Sequence, residues 1–218
     1  MKPRLWNTVP VKEKAVAFTF DDGPNAVYTA ELLDIFREAG GRATFFMVGT
    51  SLEEGAETAE AVHAAGHEIG NHTYTHPDMT KLTLEEAREE LRRMEMSIRK
   101  VTGQPVRTFR PPYLAVDERI LSLAAEEFQY DSIGAANPEA RDWEQPGVGF
   151  ILEKTRPTIR EGAILLFHDG YGDRSQTMEA VRALVRELSE AGYRLVTVSE
   201  LMAMARGETE SFGRGSLS

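Results

Sequence analysis

Cysteine is absent from the 218 residues, which excludes a disulfide framework and a thiol nucleophile and is compatible with both a secreted and a cytosolic protein. Long hydrophobic runs are absent too. No stretch reaches the roughly 18 apolar residues that cross a bilayer, and the opening Met1-Lys2-Pro3-Arg4-Leu5-Trp6 lacks the apolar core of an export signal. Positive charge is in short supply, with 25 Lys and Arg against 35 Asp and Glu and a net charge of −10. No basic stripe is available to meet nucleic-acid phosphates, and nothing draws the chain to an anionic lipid surface. No protein partner is implied either.

What the chain does have is apolar residues (41%), enough for one sizeable core. They alternate between two periods. Strand patterns fall at about 14–20, 42–48, 67–70, 106–110, 129–135, 163–168 and 193–198, and helical patterns at about 27–39, 51–65, 83–102, 117–127, 147–160 and 174–191. Thr83-Leu84-Glu85-Glu86 is a capping-box signature, and the charged residues after it read as a solvated helix face. Such βα alternation predicts a parallel sheet with helices outside it, a distorted (β/α) barrel with fewer than eight regular units. Residues 12–206 are expected to form the domain, with 1–11 and 207–218 as extensions, the latter Gly- and Ser-rich.

Polar clusters punctuate the C-terminal ends of these strands, the edge where βα loops build sites. Asp21-Asp22-Gly23-Pro24 ends the apolar run Ala15-Val16-Ala17-Phe18. Neighbours at a strand end point in different directions, so the two carboxylates serve different purposes. His72 and His76, at i and i+4 in a turn-rich segment, can converge on one cation. A carboxylate and two imidazoles, with positions left open, is a common way to hold a catalytic divalent ion. Asp22, His72 and His76 are therefore the candidate ligands, for Zn²⁺ first and Co²⁺ or Ni²⁺ as alternatives, and Asp21 is a free base beside them. His63 and His67 share the spacing but lack a carboxylate at a strand end, and read as surface or capping residues. Asn71, Thr73 and Thr75 are expected to orient the ligand histidines. Further along come Arg110-Pro111-Pro112-Tyr113, Asp142-Trp143 and Leu166-Phe167-His168-Asp169.

In this order the five clusters resemble the motifs of the polysaccharide deacetylases, carbohydrate esterase family 4 or the NodB-homology domain, over roughly residues 12–205. The resemblance implies a distorted (β/α) barrel, an acetylated glycan as substrate, Asp21 as base and His168 as acid. Histidine suits the acid role near neutrality. Arg110 is expected to fix Asp21 bidentately and keep it ionised, and Asp142 to hold the tautomer of His168 and raise its pKa. Trp143 and Leu166 should wall a small acetyl pocket, and the backbone N–H of Tyr113 should meet a developing oxyanion.

Two departures touch the sugar-binding loops. Ala136 and Glu139 stand where many members carry tryptophan and aspartate, and Leu114 stands where glycine is usual. The expected reaction is removal of acetyl groups from N-acetylglucosamine units of a peptidoglycan- or chitin-type chain. O-acetyl xylan, a cyclic amide or imide, and a non-catalytic sugar-binding role remain as alternatives. The place of action is extracellular or at the cell wall if an export signal is missing from this chain, and cytoplasmic otherwise.

Overall fold

The computed structural model describes residues 3–208. Eight parallel strands are found there: β1 (Leu5–Trp6), β2 (Ala15–Asp21), β3 (Thr44–Met47), β4 (Glu68–Asn71), β5 (Thr108–Phe109), β6 (Asp131–Ile133), β7 (Ile164–His168) and β8 (Arg194–Leu195). Seven of them pair in the order β1-β6-β5-β4-β3-β2-β7, and β8 pairs with the start of β2. The helices are α1 (Tyr28–Ala39), α2 (Gly49–Glu54), α3 (Ala56–Ala64), α4 (Leu84–Thr102), α5 (Glu118–Glu126), α6 (Val148–Thr155), α7 (Ser175–Glu190) and α8 (Val198–Arg206).

β1 and β7 form no ladder, so the barrel is distorted and incompletely closed, as the strand count predicts. The gap is bridged by side chain and by single bonds. Thr8 makes an antiparallel bridge to Ala163. The Asn137 amide stands in for a strand, its Oδ1 accepting from Leu166 N–H at 2.7 Å and its Nδ2 donating to Leu166 O at 3.1 Å. Residues 5–9, expected to be part of an extension, join this edge because Val9 is fully buried and β1 pairs with β6. Of the expected C-terminal tail, residues from 209 onward lie outside the described residues.

β2 is central and buried along its whole length. Alternation sends Phe18 and Phe20 outward to the helix layer, where Phe18 meets Phe36 of α1 at 5.5 Å between ring centroids and Phe20 meets Phe45 at 5.2 Å. Each such fully buried phenylalanine contributes about 1.5–3 kcal/mol. The alternate residues, including Thr19 and Asp21, face the barrel interior. Ala15 and Ala17 pack there with Leu201 and Met202 of α8, which plugs the far end.

Several element bounds differ from the sequence pattern. The helix expected over 51–65 breaks at Gly55 into α2 and α3, and that expected over 147–160 ends as an α-helix at Thr155. The strand expected over 193–198 stops at Leu195 because Thr197 and Glu200 form a capping box that starts α8.

Candidate active site

At the C-terminal edge of the strands a cleft of about 760 Å³ opens. Its left-handed backbone positions aim the side chains. Asp21 is the last residue of β2 and points inward, while Asp22, with φ 76°, turns its carboxylate away. The β7–α7 loop lies against this turn so closely that a Cβ on Gly170 would sit 2.1 Å from Asp22 O, which is why glycine occupies that position.

His72 and His76 leave β4 to face the same carboxylate. Their Nε2 atoms lie 3.5 and 3.2 Å from Asp22 Oδ1. That oxygen is nevertheless buried without a hydrogen-bond partner. One donor atom from each residue lies within 4.8 Å of the others. An orphaned buried oxygen beside two ring nitrogens is what a cation among them would satisfy, so the donor set fits a divalent ion. His72 Nδ1 lies 2.7 Å from Arg110 O. A carbonyl can only accept, so Nδ1 carries the proton and Nε2 presents its lone pair to the site. Burial opposes the ionised form of Asp22, but the two imidazoles hold it well below the usual carboxylate range. Burial also opposes charge on His72, yet Asp21 and Asp22 keep its imidazole above the ordinary value.

Arg110 is fully buried inside the barrel, stacked 4.4 Å over Phe46. Its contact with Asp21 is not the expected bidentate fork. Nη1 donates to Asp21 Oδ1 at 2.7 Å and to Thr19 Oγ1 at 2.6 Å, while Nη2 donates to Gly134 O at 2.7 Å. The guanidinium is thus shared between two residues of β2 and the carbonyl that follows β6. Asp21 Oδ2 thereby stays clear of Arg110 and lies 3.6 Å from His72 Nε2.

Across the cleft stands His168, the last residue of β7. Asp142 Oδ1 lies 2.9 Å from its Nδ1, and Asp142 Oδ2 accepts from its backbone N–H at 2.8 Å and from Thr177 Oγ1 at 2.9 Å. Burial works against charge on His168, but Asp142, then Asp21 and Asp22, raise it to about 9. Asp169 turns the other way, accepting a short hydrogen bond from Thr29, and burial pushes its carboxyl up to about 7. Trp143 approaches His168 edge-on at 5.0 Å and is half-exposed at the cleft, next to the nearly buried Leu166. Tyr113 has φ 58° and its ring is exposed beside His76. The amides of Leu114 and Ala115 in that turn reach Pro111 O and Pro112 O, whereas Tyr113 N–H meets no backbone acceptor among the described residues. All ten residues named from sequence thus meet in or directly behind one cleft.

Other expectations need correction. His67 is buried, not a surface residue: its Nδ1 accepts from Ala43 N–H at 3.0 Å, and burial, with Arg42 nearby, pushes it down to about 4. Asn71 and Thr73 bear on the ligand histidines through the backbone of the His72–His76 loop, Thr73 N–H donating to Asn71 Oδ1 and His76 N–H to Thr73 Oγ1. The charged face of α4 is not wholly solvated, since Glu90 binds that loop. Arg174 and Tyr171 also line the cleft, although nothing in their local sequence marks them. Only the fold brings the start of α7 over the end of β7.

A barrel edge with a cation-ready triad, a separate carboxylate and a carboxylate-backed imidazole has the parts of a hydrolytic acid–base centre. The model of the family described as polysaccharide deacetylase matches residues 8–132. A peptidoglycan-N-acetylglucosamine deacetylase of Bacillus cereus is 37% identical over 194 residues, 89% of this chain and 91% of that protein. A chitooligosaccharide deacetylase of a Bradyrhizobium species is 33% identical over 200 residues, 86% of this chain and 90% of that protein. Among solved structures, a CE4 family pseudoenzyme from Bacillus anthracis superposes with a TM-score of 0.84 at 30% identity, over 93% of this chain and 70% of that one. The chain belongs to the polysaccharide deacetylase family, carbohydrate esterase family 4. No described helix is long and apolar enough to cross a membrane.

Proposed function

We propose that this protein is a metal-dependent N-deacetylase that removes acetyl groups from N-acetylglucosamine units of a peptidoglycan- or chitin-type glycan. The reading rests on one observation above all: Asp22, His72 and His76 offer donors within 4.8 Å of one another, and Asp21 and the Asp142–His168 pair line the same cleft. Family membership alone would not carry it, because a neighbour with the same fold is described as a pseudoenzyme. Two relatives with 90% or more of their length matched are named as deacetylases of peptidoglycan and of chitooligosaccharides, which favours glycan N-acetyl groups.

Two imidazoles and a carboxylate suit Zn²⁺, with Co²⁺ or Ni²⁺ as substitutes. Such an ion polarises an acyl carbonyl and makes water a better nucleophile near neutral pH. The chain's own groups do the rest. Asp21, anchored through Oδ1 by Arg110, takes the proton from the attacking water through its other oxygen. Tyr113 N–H donates to the oxygen that gains charge. His168, protonated and held by Asp142, gives its proton to the departing amine nitrogen. Trp143 and Leu166 enclose the methyl group and exclude water from it. A glycan of this kind puts the place of action outside the cell or in its wall.

The test is acetate release across N-acetylglucosamine oligomers, peptidoglycan and acetylated xylan. Release from the first two, exceeding that from xylan, is expected. Release from xylan alone would make the protein an O-acetyl esterase, and release from none would favour a sugar-binding role.

A further inference from the structure

The segment from His72 to His76 must present two imidazoles to one point, yet it has no regular secondary structure. Thr73 and His76 sit at φ 68° and 60°, a left-handed backbone that is unfavourable for residues bearing a Cβ. Something must hold it. His72 is fixed through its ring by Arg110 O, but no carbonyl holds the His76 ring in the same way among the described residues. Beyond ring contacts with His72, Tyr113 and Tyr171, the direction of His76 therefore depends on its backbone.

That backbone is gripped by α4. Glu90 Oε2 accepts from the N–H groups of Tyr74 and Thr75, both at 2.8 Å, and its Oε1 accepts from Thr75 Oγ1 at 2.7 Å. The next helix residue, Leu91, offers its carbonyl to Asn71 Nδ2 at 2.9 Å. Asn71 Oδ1 in turn accepts from Thr73 N–H at 2.8 Å, and Thr73 Oγ1 from His76 N–H at 3.1 Å. One helical turn thus ties down both flanks of the loop. The turn is itself rigid, because the Thr83–Glu86 capping box starts α4, and Ala87, Leu91 and Met94 are buried on its inner face. Among the described residues Glu90 forms no ion pair, and all its hydrogen bonds go to the loop.

We infer that Glu90 is a positioning residue: by accepting three hydrogen bonds from Tyr74 and Thr75 it sets the loop so that His76 joins Asp22 and His72, and it thereby governs how tightly a cation is held. The inference rests on the reading of those three residues as cation ligands. A charge run read from sequence as a solvated face contains the support of the site.

The experiment measures Zn²⁺ affinity without substrate, by competition with a chromophoric chelator, in the wild type, Glu90→Ala, Glu90→Gln and His76→Ala. Glu90→Ala should weaken binding on the order of 10- to 100-fold, the usual effect of losing an outer support of a metal ligand. The visible spectrum of its Co²⁺-loaded form should change, because the ligand geometry changes. Glu90→Gln should recover most of the affinity, since a glutamine carbonyl oxygen still accepts from both amides. Affinity of Glu90→Ala within twofold of wild type, with an unchanged Co²⁺ spectrum, overturns the inference while leaving the cation site intact. A wild type that binds no Zn²⁺, or a His76→Ala that binds as tightly, overturns the site and the inference with it. If Glu90→Ala does not fold, Thr75→Val serves, removing one of the three bonds. Several-fold weaker binding supports the inference, and unchanged binding contradicts it.

Discussion

Asp142 takes both N–H groups of His168, the backbone amide through Oδ2 and the ring Nδ1–H through Oδ1. One carboxylate therefore fixes the position of the imidazole, its tautomer and its affinity for a proton. Nε2 is left as the nitrogen that faces the cleft.

A pH dependence follows. His168 must be protonated to act as acid, and its raised pKa of about 9 in the metal-free protein keeps it so at neutrality. The rate should fall as pH rises through the basic limb. A cation at Asp22 opposes the proton, so NMR titration should place His168 near 9 without metal and lower with Zn²⁺ bound. Asp142→Asn should move the basic limb to lower pH, with zinc still bound. In the metal-free protein the same interaction stabilises the fold. Its contribution is complete below about pH 6.5 and is lost as pH rises through about 9.

The leaving group separates an acid from a mere binding residue. An amide nitrogen needs a proton to depart, whereas an aryl ester's phenolate needs little help. His168→Ala should slow N-deacetylation on the order of 10²–10⁴-fold and affect an activated acetyl ester far less. Equal losses on both substrates would assign His168 to binding.

Arg110 is predicted to matter to stability as well as to the site. It is fully buried, and its removal leaves Asp21 beside a void without its cation. Arg110→Met should cost about 3–5 kcal/mol in urea unfolding, the usual result of breaking a buried pair. A loss below about 1 kcal/mol would mean that water or a neighbour replaces it.

Much of this site was legible because its chemistry sits at strand ends. The run Ala15–Phe20 marks β2, and its end places Asp21 and Asp22 at the barrel edge. What sequence could not supply was direction in space. Nothing near Arg110 announces that its fork divides among Thr19, Asp21 and Gly134, since these partners come from β2 and the end of β6, remote in sequence from Arg110. His67 reads as a surface or capping residue until Phe36 of α1 and Phe45 of β3 pack on its ring. Glu90 looks like one more charge on an amphipathic helix, and only the packing of α4 against β4 gives it amides to bind. The start of α8 is missed in the same way: Thr197 and Glu200 have capping-box spacing, but the apolar run before them reads as a strand carried through to 198.

The two adjacent carboxylates should separate by experiment. Asp21→Asn keeps its size but cannot take a proton, so the rate should fall about 10²–10⁴-fold with zinc retained. Asp22→Asn should lose zinc and activity together. If Asp21→Asn empties the site and Asp22→Asn does not, the two roles are reversed.

The central claim is that acetyl removal depends on a cation held by Asp22, His72 and His76. Its most direct test measures bound zinc and acetate released from an N-acetylglucosamine oligomer in the same samples of wild type, His76→Ala and the control His63→Ala. Wild type and His63→Ala should bind one zinc, lose activity on chelation and regain it with Zn²⁺, whereas His76→Ala should lose zinc and acetate release together. A His76→Ala protein with full zinc and an unchanged rate would contradict the account.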